Sequence, residues 1–93
     1  MSNVQTLARI EAAVAKKYPQ TKAELNRAIA KHGFELVRGP EGYFYWAPLK
    51  GAKSSAAIMA PSVYVYRFDG MSPNQWWAHA KEVIEMVKKD LAA

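Results

Sequence analysis

Four tyrosines alternate along two short runs, Tyr43-Phe44-Tyr45-Trp46 and Val63-Tyr64-Val65-Tyr66-Arg67-Phe68, which hold seven of the eleven aromatic residues in the chain. Side chains along a β-strand alternate between faces, so Tyr43, Tyr45, Tyr64 and Tyr66 are predicted to share one face while Phe44, Trp46, Val63 and Val65 take the other. A phenol ring offers a flat surface for stacking and a hydroxyl for hydrogen bonding, the chemistry of contact with unpaired bases or with protein hot spots. Lys50 and Lys53, in the following loop, and Arg38, at the end of the preceding strand, are the cations expected to reach phosphates beside that face. Trp76 and Trp77 cannot share one helical face, since neighbours differ by about 100°. Trp76 is therefore assigned to the core, and Trp77 to the core boundary or to a partner contact.

Other chemistry-bearing residues do not converge in the sequence. His32 and His79 fall on different predicted helices, and neither has metal-ligand spacing. Gly51-Ala52-Lys53-Ser54 resembles a fragment of a phosphate loop, but alanine stands where that motif needs glycine before its lysine. Glu82 and Glu85 are three residues apart on a helix that also carries Lys81, Lys88 and Lys89, the pattern of a solvated face rather than of a paired acid and base. No catalytic residue, metal site or cofactor is expected, and the chain is read as non-catalytic.

Ninety-three residues, 51 % of them hydrophobic, suit a single folded domain with one modest core. The absence of cysteine removes disulfide and thiolate-metal frameworks and favours a reducing compartment. The N-terminus lacks the basic leader and apolar run of a signal peptide, and no stretch approaches the roughly 20 apolar residues that cross a bilayer. Cytoplasmic location and no membrane partner are the expectations. The net charge of +5 is uneven: residues 1–53 hold nine Lys or Arg against four acids, and residues 54–93 hold four against four. Such a bias fits a surface for polyanions.

The elements that must position these groups can be read from periodicity. Val4, Leu7, Ile10 and Val14 recur at helical spacing in a first helix that ends before Pro19. Thr21-Lys22-Ala23-Glu24 has the form of a capping box, and Gly33 suits the left-handed stop of that second helix. Phe34 to Arg38 reads as a strand, and Gly39-Pro40-Glu41-Gly42 as the reversal into the strand at Tyr43. Pro48 to Pro61 reads as the least structured interior segment. A third strand over Val63 to Phe68 precedes Ser72-Pro73-Asn74-Gln75, which opens a long final helix with Trp76, Ala80, Val83, Ile84, Val87 and Leu91 on its apolar face.

The segments Phe34-Glu35-Leu36-Val37-Arg38-Gly39, Gly42-Tyr43-Phe44-Tyr45-Trp46 and Ser62-Val63-Tyr64-Val65-Tyr66 give residues 21–91 a pattern that resembles a group of small bacteriophage and prophage proteins with no assigned activity. The resemblance implies action in a bacterial host cytoplasm. From Thr21 onward the element order also looks like that of the double-stranded-RNA-binding domain, and the whole chain is similar in order to histone-like DNA-bending proteins. Both likenesses stop at topology. Pro73-Asn74-Gln75-Trp76-Trp77 lacks the lysine cluster that the first family carries there, and Lys53-Ser54-Ser55-Ala56 lacks the arm-tip residues of the second.

The expected architecture is α+β, a three-stranded antiparallel sheet packed against helices in the order α-α-β-β-β-α. It forms one domain over 1–93, with 1–18 a peripheral helix and 21–91 the core. The expected activity is that of a phage-type accessory protein binding DNA or RNA through Tyr43, Tyr45, Tyr64, Tyr66, Lys50, Lys53, Arg38 and Trp77. The alternative is a protein-interaction module that binds a host or phage protein, either as a host-factor inhibitor or as a self-associating phage component.

Overall fold

Thr21 opens the first described helix, α1 (Lys22–Ile29): its Oγ1 accepts a hydrogen bond from Glu24 N at 3.1 Å, and Glu24 Oε2 accepts one from Gln20 N at 3.1 Å. This is the capping chemistry expected from the sequence, with the glutamate reaching one residue further back. The structure, a computed structural model, describes residues 18–93, and the helix expected over Val4 to Val14 lies outside them. One 3₁₀ turn (Ala30–His32) tightens the end of α1, and Gly33 stops it in the left-handed conformation at φ 84°.

Strands β1 (Phe34–Arg38) and β2 (Phe44–Pro48) form an antiparallel hairpin, with Leu36 opposite Trp46 and Val37 opposite Tyr45. Gly42 N donates to Gly39 O at 2.9 Å and closes the turn between them. Pleat alternation then sends Phe34, Leu36, Phe44 and Trp46 into the core. They meet Leu25 and Ile29 of α1 and Trp76, Ala80, Val83, Ile84 and Val87 of α2 (Pro73–Ala92). Pro73 occupies the first turn of α2, and Gln75 Oε1 accepts from Ser72 N at 2.9 Å. Trp76 is fully buried, stacked on Phe68 at 4.9 Å between ring centres, and its Nε1 donates to Phe68 O at 2.6 Å. Leu91, expected on the apolar face, lies past the end of this core and is 55 % exposed.

The class α+β is as expected, but the three-stranded sheet is not formed: among the described residues the sheet has two strands, β1 and β2. The expected third strand makes a single bridge, in which Phe44 N donates to Val63 O at 3.1 Å and Val63 N to Phe44 O at 2.8 Å. An antiparallel ladder would continue at Trp46 with residue 61 and at Gly42 with Val65. Pro61 has no N–H to donate to that ladder. Gly42 sits in the turn at φ 100°, with its carbonyl already accepting from Arg38 Nε at 3.2 Å. Pairing is therefore blocked on both sides of Val63, and the segment ends in a 3₁₀ turn at Phe68–Gly70.

The loop from Pro48 to Pro61 is more ordered than its composition implies. A 3₁₀ turn (Ala56–Met59) drops Ala57 into the core, and Ser54, itself buried, donates from Oγ to Asp90 Oδ2 at 2.6 Å. Ser54 Oγ also accepts from Ala56 N at 3.1 Å, so this hydroxyl starts the turn and ties it to the end of α2.

Candidate functional site

Three of the four strand tyrosines come together on the outer side of the hairpin. The Tyr43 ring lies 4.8 Å from Tyr64 and 6.5 Å from Tyr66, centre to centre. Tyr64 and Tyr66 are 70 % and 61 % exposed, while Tyr43 is half-buried beneath them. The alternation predicted from the sequence thus holds for residues 63–66 even though they pair only at Val63, because Val63 fills the core and Val65 packs against its edge. Tyr45 stands apart from the trio, its ring lying over Gly39, where an added Cβ would approach within 3.2 Å. Tyr66 uses Gly42 in the same way, with its ring 3.2 Å from the place a Cβ would occupy.

The electrostatics of the face are mixed. The Glu41 carboxylate is the largest influence on the Tyr43 phenol and, with partial burial and the adjoining Tyr64 and Tyr66, raises its pKa above the ordinary value. Arg38 lies behind the face. Its Nε donates to Gly42 O, its Nη2 donates to Tyr66 O, and its guanidinium sits 5.4 Å above the Phe44 ring. The residue expected to meet phosphate is thus first a clamp that holds the tyrosine-bearing segment against the hairpin turn. It also lines a cleft of about 500 Å³ that it shares with Lys22, Arg67, Phe68 and Asp69. Arg67 and Asp69 form a two-pronged pair at 3.1 and 3.2 Å across its rim.

Lys50 and Lys53 do not belong to this constellation. Leu49 N donates to Gly33 O at 2.8 Å, and Ala52 sits against Gly33, so the loop bearing both lysines closes the far end of the hairpin. Six residues of extended chain, about 20 Å at roughly 3.3 Å each, separate that end from Tyr43. Trp77 lies elsewhere again. Half-buried against the core, it lines a cleft of about 220 Å³ with Lys31, His32, Lys81, Ile84, Glu85 and Lys88. His79 is exposed on another face of α2.

Sequence reasoning missed Lys22 and Arg67 as companions of Arg38, and Lys31, His32, Lys81 and Lys88 as companions of Trp77. The α2 members carried a signal, since Trp77, Lys81 and Lys88 recur at helical spacing. Their meeting with Lys31 and His32 depends on how α1 packs against α2, which no local pattern gives. In comparisons with protein-family models, curated proteins and solved structures, nothing matches the chain.

Proposed function

We propose that this is a non-catalytic accessory protein that binds unpaired nucleic acid at the Tyr43, Tyr64 and Tyr66 cluster, with phosphates drawn to the Lys22, Arg38 and Arg67 cleft beside it. One observation carries the reading: Arg38 lines the cationic cleft and at the same time holds the backbone of Tyr66, which joins a stacking surface to a charged one. Exposed aromatic rings beside a basic channel are how proteins hold single strands without reading sequence. In line with the resemblance seen in the sequence, the proposed setting is the cytoplasm of a phage-bearing bacterium.

Titration of labelled single-stranded and duplex DNA and RNA tests it. Saturable, salt-sensitive preference for single strands is expected, weakened about tenfold by Tyr64→Ala, a size set by the stacking of one base. Absence of binding at moderate salt, or equal affinity for duplex and single strand, rejects it.

A second reading has its own observation. Ile58 and Met59 are 64 % and 77 % exposed, neighbouring apolar side chains suited to a protein contact, and the negative charge of Glu41 beside Tyr43 opposes a polyanion there. A complex captured from bacterial lysate that survives nuclease and is lost on Met59→Lys would support this reading over the first.

A further inference from the structure

We infer that the cleft between α2 and the 3₁₀ turn after α1 is a second binding site, in which the Trp77 indole takes a base and Lys31, Lys81 and Lys88 take the phosphate of a nucleotide unit. Each part of the chemistry is present. Ile84, which is buried, and Trp77, which packs partly on the core and is restrained by it, supply the apolar lining of the cleft. Stacking on such a ring is tolerant of base identity. Three lysines line the cleft against one acid, Glu85, whose carboxylate is 3.8 Å from Lys88 Nζ. Among the described residues Lys31 and Lys81 have no ion pair. The pKa of His32 beside them lies below the ordinary value, through burial first and then through Lys31 and Lys88. At about 220 Å³ the cleft falls below the roughly 300–1,000 Å³ of sites that enclose a whole small molecule, which fits one unit of a chain better than a larger free ligand.

The Trp77 cleft is independent of the tyrosine face, and one set of titrations separates the two. Fluorescence anisotropy is measured with a labelled oligothymidine and with an abasic strand of equal length. Lys31→Gln with Lys81→Gln is expected to lower the slope of affinity against salt by about 0.7 for each phosphate contact removed. Trp77→Ala is expected to weaken the oligothymidine about tenfold and the abasic strand little, with Trp77→Phe retaining most of the affinity. The lysine variants change only exposed side chains, so they decide the matter even if Trp77→Ala fails to fold. Unchanged affinity and slope in the double lysine variant overturn the inference, as does equal weakening of both strands by Trp77→Ala. If Tyr64→Ala abolishes binding while the lysine pair has no effect, the tyrosine reading stands and this one falls; the reverse result favours the Trp77 cleft over the tyrosine face. Thymidine monophosphate followed by the Trp77 indole N–H resonance tells a free nucleotide from a strand as the source. Inorganic phosphate that reproduces its shifts in full removes the base from the proposal.

Discussion

Asn26 holds Leu36 by both halves of its amide: Nδ2 donates to Leu36 O at 3.2 Å, and Leu36 N donates to Oδ1 at 2.7 Å. Register explains the need. Gly39 N bonds Tyr43 O and Leu49 N bonds Gly33 O, so the ladder uses odd-numbered positions of β1 and leaves Leu36, opposite Trp46, with its peptide groups facing the open edge. Asn26 occupies that edge and fastens α1 to the hairpin. Asn26→Asp keeps the size and the acceptor but sets a carboxylate oxygen against Leu36 O. It is expected to lower stability by about 1–3 kcal/mol in urea denaturation with an unchanged m value. A loss under about 0.3 kcal/mol would show that water replaces the clamp without cost.

Gly42 is required twice over. Its φ of 100° strains any residue with a side chain, and the Tyr66 ring lies 3.2 Å from where a Cβ would project. Gly42→Ala is expected to cost about 1–3 kcal/mol and to break the Tyr43–Tyr66 edge contact. Loss of the ring-to-ring nuclear Overhauser effects, in protein that still melts cooperatively, is the check. Retained contacts would mean that the turn relaxes without moving the face.

Arg38 separates charge from shape. A lysine keeps the positive charge but replaces the rigid fork, whose Nε and Nη2 reach Gly42 O and Tyr66 O from two separate nitrogens, with a single flexible ammonium. Arg38→Lys is therefore expected to lose single-strand affinity nearly as far as Arg38→Ala, and to speed hydrogen exchange over residues 63–67. Full retention of affinity in Arg38→Lys would leave Arg38 as a point charge near phosphate and nothing more.

The same residues show how far the sequence could be read. Alternation places Phe34, Leu36, Phe44 and Trp46 inside and Tyr43, Tyr64 and Tyr66 outside, because pleat geometry is local and survives where pairing does not. The third strand is not legible in the same way: the composition over Val63 to Phe68 is that of a strand, while the obstacles lie outside it, in Pro61, which a longer ladder would have to pair with Trp46, and in Gly42, held in a turn. Sequence proximity alone sets Lys50 and Lys53 beside the tyrosines, although a strand carries its two ends about 3.3 Å further apart with every residue. Ser54 gives no warning that it reaches Asp90, 36 residues away, because one buried hydroxyl has no periodicity to announce it.

Glu41 offers a test by gain of affinity. Its charge raises the Tyr43 pKa and opposes any phosphate brought to the tyrosine cluster. Glu41→Gln is expected to tighten single-strand binding about two- to fivefold at low salt, with the gain fading as salt screens it beyond a Debye length of about 10 Å at 0.1 M. A protein partner that uses Glu41 for contact would respond in the opposite direction, so the sign of the change chooses between the two readings of this face.

His32 gives the Trp77 cleft a pH signature of known sign. Burial, then Lys31 and Lys88, hold its folded pKa below the ordinary 6.5, so above that pH the ring is neutral in both folded and unfolded chains and contributes nothing. As pH falls through 6.5 the unfolded chain takes up the proton first, and stability declines until the folded pKa is passed. The groups facing this ring are Lys31 on its own turn and Lys81, Glu85 and Lys88 on α2. The melting temperature is expected to drop on acidification from pH 7 to about 5, with the slope reduced in His32→Gln. A phosphate in the cleft reverses the effect, because its charge favours the imidazolium. Oligothymidine binding should therefore tighten as pH falls in the natural protein and lose that dependence in His32→Gln. An equal pH response in both proteins would place the phosphate away from His32 and out of this cleft.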